Sequence, residues 1–147
     1  MLRSTRLLAL VAAAACSHGA APSGPSTGLV TATLDREFDL AVGGTAEVGD
    51  GGLTISFTGV REDSRCPSDV VCVWSGDATA LLTVAVGRSA AETLALHTHL
   101  VPRAAPHGGY TIHLVSLSPY PDSRDPIEAG EYVVRLRVEL GPAAPSD

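Results

Sequence analysis

The sequence predicts an all-β protein, an antiparallel β-sandwich that is immunoglobulin-like or of a related type, with about seven or eight strands. Apolar residues recur at every second position in several segments, as in Leu53, Ile55 and Phe57, and this period places one face of a strand in a core. Glycine-rich turns separate these segments. No stretch of about ten residues has the 3.6-residue period of an amphipathic helix. Short strands with one polar face are typical of antiparallel sandwiches.

The predicted strands follow the alternating pattern along the chain. They cover residues 28–34, 37–42, 45–48, 53–58, 77–86, 92–99, 109–118 and 132–140. Glycine pairs or triplets near positions 43, 49 and 107 supply turns between them. The alternation slips by one position at 59–60 and at 115–116, which predicts a β-bulge in each of those two strands.

Composition limits the size and the partners of the protein. A chain of 147 residues with 45% hydrophobic residues is long enough for one domain with a buried core. Its formal net charge is −6, and its ten basic residues are all arginines, none of which forms a cationic run. Nucleic-acid binding needs clustered positive charge, so we expect no nucleic-acid partner.

The N-terminus has the order of features found in an export signal. Two arginines precede nine consecutive apolar residues, 7–15, and small residues lead to Cys16. The apolar run is too short to cross a bilayer as a helix, which takes about 20 residues. The segment VAAAACS resembles the lipobox of bacterial lipoproteins, which implies cleavage after residue 15 and acylation of Cys16. An ordinary cleaved signal peptide is the alternative, because Ala13 stands where the lipobox usually has leucine.

These features divide the chain into four parts. Residues 1–15 are a lipoprotein-type signal peptide, 16–28 a flexible tether rich in Gly, Ser and Pro, 29–140 the β-sandwich domain and 141–147 a disordered tail. We expect an exported protein anchored by lipid to the bacterial cell envelope, with its domain in the periplasm or outside the cell. Ser17 follows the cysteine where inner-membrane lipoproteins carry aspartate, which favours the outer membrane in a two-membrane bacterium.

Cys66 and Cys72 have three possible uses. A redox pair normally has two intervening residues at a helix start, whereas five intervene here. Structural zinc takes four ligands, and no second cysteine pair is present. In an oxidising compartment, with Cys16 acylated, the two remaining thiols are each other's only partners, which favours a short-loop disulfide. We expect it to present Val71, Val73 and Trp74 to the core beside the 77–86 strand, with Trp74 as a core or loop anchor.

The segment VREDSRCPSDVVCVWSGDATALLTV, residues 60–84, resembles an uncharacterised family of small exported bacterial proteins, often lipoproteins, with a DSRCP-x4-C-x-W-x-G motif. The resemblance covers about residues 37–140 and implies export, a β fold and the disulfide, but no catalytic residue. It singles out a motif of structural or binding residues: Asp63, Arg65, Cys66, Pro67, Cys72, Trp74 and Gly76. From their spacing, we expect Asp63, Arg65 and Asp77 to form a charge-assisted cluster around the loop.

Histidines suggest a second kind of site. On a strand, His97 and His99 point to the same face, and a neighbouring strand that carries His113 would bring a third imidazole. Imidazoles so placed bind Cu(II) or Zn(II). The alternative is a solvated polar face with no cofactor.

No sequence motif indicates catalysis. The chain lacks the nucleophile-elbow, zinc-protease and phosphate-loop patterns. We therefore expect no enzyme activity. The preferred interpretation is a non-catalytic, lipid-anchored envelope protein, a binding or structural module for an envelope protein or a small ligand. The alternative is a periplasmic or extracellular Cu- or Zn-binding protein that uses His97 and His99. The sequence carries no signature of oligomeric state.

Overall fold

A computed structural model describes residues 27–141, and in this range the protein contains strands and turns but no helix. The predicted signal peptide, Cys16, all but the last two residues of the tether, and all but the first residue of the tail lie outside the described residues. Within 27–141 no helix is long and apolar enough to cross a membrane.

Nine strands lie within the described part of the chain, in two sheets. They are β1 (Leu29–Ala32), β2 (Glu37–Ala41), β3 (Thr45–Val48), β4 (Leu53–Arg61), β5 (Thr79–Val86), β6 (Glu92–His97), β7 (Ala104–His107), β8 (Tyr110–Ser118) and β9 (Val133–Leu140). One sheet has the order β1-β3-β4-β5-β6 and the other β2-β9-β8-β7. The all-β sandwich predicted from the alternation is confirmed.

The core lies between the two sheets. Leu53, Ile55 and Phe57 of β4 are fully buried against residues of the opposite sheet, among them Val134 and Leu136 of β9. The alternating residues of these strands are more exposed, as the period of two requires. The apolar faces predicted for β4 and β9 are therefore confirmed, except that Leu140, at the end of β9, is exposed.

The strand pairing differs from the prediction in two places. β1 pairs with β3 in parallel, although the other pairs are antiparallel. β7 was not predicted, because it has only four residues and contains Pro106, which lacks an amide hydrogen. Its position at the edge of its sheet explains how the proline is accommodated.

Both predicted irregularities occur. The register shifts between Phe57 and Gly59 in β4, slightly before the predicted position, and between Leu114 and Ser116 in β8. Each shift is the mark of a β-bulge, which restores the apolar face of the strand after the slip in alternation.

Successive strands run in alternate directions, so the loops fall into two groups at the two ends of the sandwich. We call one of them the loop end: it holds the β4–β5 loop (62–78), the β6–β7 loop (98–103) and the β8–β9 loop (119–132). β1 begins on that side, because it runs parallel to β3, from Leu29 beside Thr45 to Ala32 beside Val48, toward the β3–β4 turn at the opposite end. The far end holds the β3–β4, β5–β6 and β7–β8 turns and the end of β9.

Candidate functional site

The three loops of the loop end are joined by hydrogen bonds into one surface. The β4–β5 loop contacts the β8–β9 loop through the amide of Ser68, which donates to the carbonyl of Pro121 (2.8 Å), and through Asp69, which accepts from Ser123. It contacts the β6–β7 loop through Asp77. The sequence motif that was singled out lies entirely in the β4–β5 loop.

Arg65 is the buried centre of the loop end. Its side chain donates to both carboxylate oxygens of Asp63, at 2.9 and 2.6 Å, and to the carbonyls of Leu117 (2.7 Å) and Pro119 (3.0 Å). Its guanidinium carbon lies 5.4 Å from the centroid of the Tyr120 ring, within the range of a cation–π interaction. The planar guanidinium group directs its N–H donors in fixed directions that match these acceptors, whereas a lysine ammonium group could not reach all of them. One buried side chain thereby joins the β4–β5 loop to the end of β8.

Asp63 completes this arrangement. The hydroxyl of Tyr132, at the base of β9, donates to its carboxylate at 3.1 Å. Partial burial raises the pKa of Asp63, but the hydrogen bonds and charge of Arg65 and the bond from Tyr132 outweigh burial and hold that pKa below its ordinary value. The ion pair expected between Asp63 and Arg65 is confirmed.

Asp77 does not join that cluster, which corrects the prediction for this residue. Its carboxylate instead holds the β6–β7 loop: it accepts from the hydroxyl of Thr98 (3.1 Å) and from the amides of His99 (2.8 Å) and Leu100 (3.2 Å). The Nδ1 atom of His97 lies 2.6 Å from its other oxygen. Partial burial raises the pKa of Asp77, but these hydrogen bonds outweigh it and lower the pKa well below its ordinary value.

The predicted disulfide between Cys66 and Cys72 is confirmed, with the two Cα atoms 5.9 Å apart. It lies within what we call the disulfide loop, residues 64–77. The loop is closed at its base by backbone bonds from Ser64 to Asp77 (2.7 Å) and from Cys66 to Ser75 (2.9 Å). Pro67 starts the turn, since its carbonyl accepts from the amide of Val70. Gly76 has φ +68°, a left-handed conformation that suits glycine.

The apolar residues of the disulfide loop are exposed, so the prediction that they face the core is wrong. The exposed fractions are 102% for Val71, 89% for Val73 and 81% for Trp74. The reason is geometric, because the two backbone bonds at the base of the loop leave residues 67–74 projecting beyond the sandwich. Trp74 is therefore a surface residue, although its hydrophobicity predicted a core position.

More apolar residues lie on the neighbouring loops. Leu100 and Val101 of the β6–β7 loop and Tyr120 of the β8–β9 loop are also exposed. Scattered exposed apolar residues are normal, but a concentration of them marks an interaction surface. Of the nine large exposed apolar side chains in residues 27–141, seven lie on these three loops.

A small cavity lies beside the disulfide loop. Its volume is about 220 Å³, and its lining includes Arg65, His99, Arg103, Leu114 and Tyr120. The Arg65 side chain already makes four hydrogen bonds, to Asp63, Leu117 and Pro119, so the more exposed Arg103 is the freer cation of this mixed polar and apolar lining.

The structure does not bring the predicted histidine site together. His97 is bound to Asp77, and His99 lies just beyond β6. His113 lies on β8 in the other sheet, where its Nε2 is 3.3 Å from Glu139. Residues 27–141 contain no group of three or more potential metal ligands. The Cu or Zn site stays a prediction from sequence.

Several important residues were not found from the sequence. Tyr132, Tyr120 and the carbonyls of Leu117 and Pro119 are more than fifty positions from Arg65, so spacing could not connect them. The only sequence signal was the aromatic character of the two tyrosines.

Compared with known proteins, the chain matches no protein-family model, no curated protein and no solved structure.

Proposed function

We propose that this protein is a non-catalytic, lipid-anchored module of the bacterial cell envelope that binds its partner through the loop end. The observation that carries the proposal is the exposure of Val71, Val73 and Trp74 on one disulfide-closed loop. Exposed apolar side chains cost free energy in water, and binding that covers them recovers it.

The rigidity of the loop supports a binding role. The disulfide, the two backbone bonds at the base and the contacts of Ser68 and Asp69 with the β8–β9 loop fix its backbone before any partner arrives. A loop that is already ordered loses little conformational entropy on binding, so more of the contact energy contributes to affinity. Binding surfaces are often loops held by a rigid sheet scaffold.

The anchor is supported by the sequence and is consistent with the disulfide. A charged start, nine apolar residues and a cysteine after small residues form a lipoprotein-type signal, and a disulfide fits an oxidising compartment. Intact-mass measurement of the chain purified from its natural host tests this part. The expected mass is that of residues 16–147 plus acyl groups and one disulfide, and a Cys16→Ser variant should lose the acyl groups and leave the membrane fraction.

Site-specific photo-crosslinking tests the binding surface. A photoreactive phenylalanine analogue replaces Val71 in one variant and Leu140, an exposed residue at the far end, in a matched control. Irradiation of intact envelopes should give an adduct with a protein or a lipid from position 71, seen by mass spectrometry of the purified chain, that is missing from position 140. Identical patterns from both positions, or none from position 71, would contradict the assignment of the loop end.

A further inference from the structure

The N-terminal chain enters the sandwich from the side of the exposed loop. The carbonyl of Gly28 accepts from the amide of Thr45 at 3.1 Å, and β1 then runs beside β3, away from the loop end. Gly28, where the chain enters the domain, therefore lies on the side on which β4 continues to Arg61 and the disulfide loop begins. The attachment of the domain and its apolar loop lie on the same side.

The chain between Cys16 and the domain is short. Twelve residues, 17–28, separate Cys16 from Leu29. Even fully extended they span at most about 40 Å, and a Gly- and Ser-rich chain of this length has a root-mean-square span of about 20 Å. An acyl group on Cys16 would thus hold the loop end within reach of the membrane surface.

The chemistry of the loop suits the interfacial layer of a bilayer. Tryptophan is enriched there because its ring has an apolar body and one polar N–H group. Val71 and Val73 precede Trp74 in sequence and are at least as exposed. Leu100 and Val101 project from the adjoining β6–β7 loop, so further apolar contact is available on the same side of the domain.

The charge of the loop end selects among lipids. Across the three loops, eight acidic residues stand against three arginines. Anionic headgroups would repel this surface, and salt would screen the repulsion. Apolar insertion, and not electrostatic attraction, must therefore supply the free energy, which favours headgroups without net charge.

We infer that the disulfide loop is a membrane-docking element: with the chain anchored through Cys16, Val71, Val73 and Trp74 enter the interfacial layer of a lipid surface whose headgroups carry no net charge. The inference rests on the proposed lipid anchor and names the lipid surface as the partner of the proposed binding site. The anchor makes docking intramolecular, so a contact too weak to hold a free domain suffices.

Trp74 is the only tryptophan of the chain, so its fluorescence reports on the loop directly. The full acylated protein, purified from host membranes and checked by intact mass, is reconstituted into phosphatidylcholine vesicles with brominated acyl chains. We expect Trp74 in the vesicles to emit at shorter wavelength than in the chain without acyl groups, measured in solution without detergent. We also expect the brominated acyl chains to quench the Trp74 fluorescence strongly. Replacing part of the lipid with phosphatidylglycerol should reduce the quenching, and added salt should restore it.

Two variants make the test specific. Val71→Asp with Val73→Asp should abolish most of the quenching, whereas Leu140→Asp at the far end should leave it unchanged, with both variants keeping the parent circular dichroism spectrum. An acylated chain whose Trp74 is not quenched overturns the inference and leaves the anchor intact. Protection of Trp74 that requires added envelope proteins also overturns it, because the occupant is then a protein. A chain that carries no acyl group in its host overturns both proposals.

Discussion

Gly76 packs directly against the backbone of Ser64 at the base of the disulfide loop. A Cβ atom on Gly76 would overlap the carbonyl oxygen of Ser64 and would lie 2.9 Å from the Cα of Arg65. Both neighbours are backbone atoms, which cannot move aside as a side chain can. This close approach explains why glycine occupies the last position of the motif.

We therefore expect Gly76→Ala to lower the free energy of unfolding by about 2–4 kcal/mol, from the clash and from the left-handed backbone together. Gly87→Ala is the matched control, because Gly87 also has a left-handed φ of +56° but nothing lies within 4 Å of the point that a Cβ would occupy there. The control should cost about 1 kcal/mol. Urea unfolding measures both, and equal losses would contradict the role of the Ser64 contact.

Replacing Arg65 with lysine should destabilise the protein by about 3 kcal/mol or more, because lysine leaves buried acceptors of Asp63, Leu117 and Pro119 without partners. Arg135→Lys provides the comparison, since Arg135 makes a similar two-bond pair with Asp39 but is half exposed. Exposed pairs contribute about 0–1 kcal/mol. The difference between the two variants in urea unfolding isolates the effect of burial, and similar losses would refute it.

Stability should fall in acid partly because of Asp77. Its pKa is lower in the folded chain than in the unfolded one, so the unfolded chain binds the proton first as the pH falls. The stabilisation is complete above about pH 5 and declines below the unfolded pKa of about 4. Asp77→Asn should be less stable at neutral pH and should lose less between pH 5 and pH 3. Parallel stability–pH curves for parent and variant would rule out this contribution.

Removing the disulfide with Cys66→Ser and Cys72→Ser should cost about 2 kcal/mol, as expected for a ring of seven residues. The domain should stay folded, because the core and the hydrogen bonds at the loop base remain. Limited proteolysis should then cut within residues 67–72, where the intact loop resists. A variant that fails to fold, or that is cut no faster than the parent, would conflict with a local role for the disulfide.

Trp74→Ala should leave the free energy of unfolding within about 0.5 kcal/mol of the parent value, because the side chain is mostly in solvent. Phe57→Ala, in the fully buried centre of β4, should cost about 3–5 kcal/mol. Thermal or urea unfolding checks both. A large loss of unfolding free energy from Trp74→Ala would show that the side chain is buried in the core.

Alternation predicted the strands that bury one face, because burial of every second side chain leaves a readable period. β7 was not predicted because a strand of four residues that includes Pro106 is too short to show that period. The parallel pairing of β1 with β3 was not predicted because alternation indicates which face of a strand is buried but not which strand lies next to it. Residues 59–60 and 115–116 indicated the bulges because a bulge shifts the period by one.

The candidate site was predictable only where its partners are close in sequence. Asp63 and Arg65 are two positions apart, and the pairing of Cys66 with Cys72 followed from the number of thiols. Tyr132 reaches Asp63 across 69 positions, a contact that depends on the fold. Trp74 was misplaced because hydrophobicity measures the gain from burial but does not show whether neighbouring elements leave space for the side chain.

The described domain has nine strands that alternate in direction, so Leu29 and Leu140 lie at opposite ends of it. A fluorescent protein or affinity tag fused directly after Leu140 would lie at the end away from Trp74 and leave it accessible, whereas a fusion directly before Leu29 would lie at the same end as Trp74. Tandem copies of the domain joined directly from Leu140 to Leu29 would for the same reason extend head to tail.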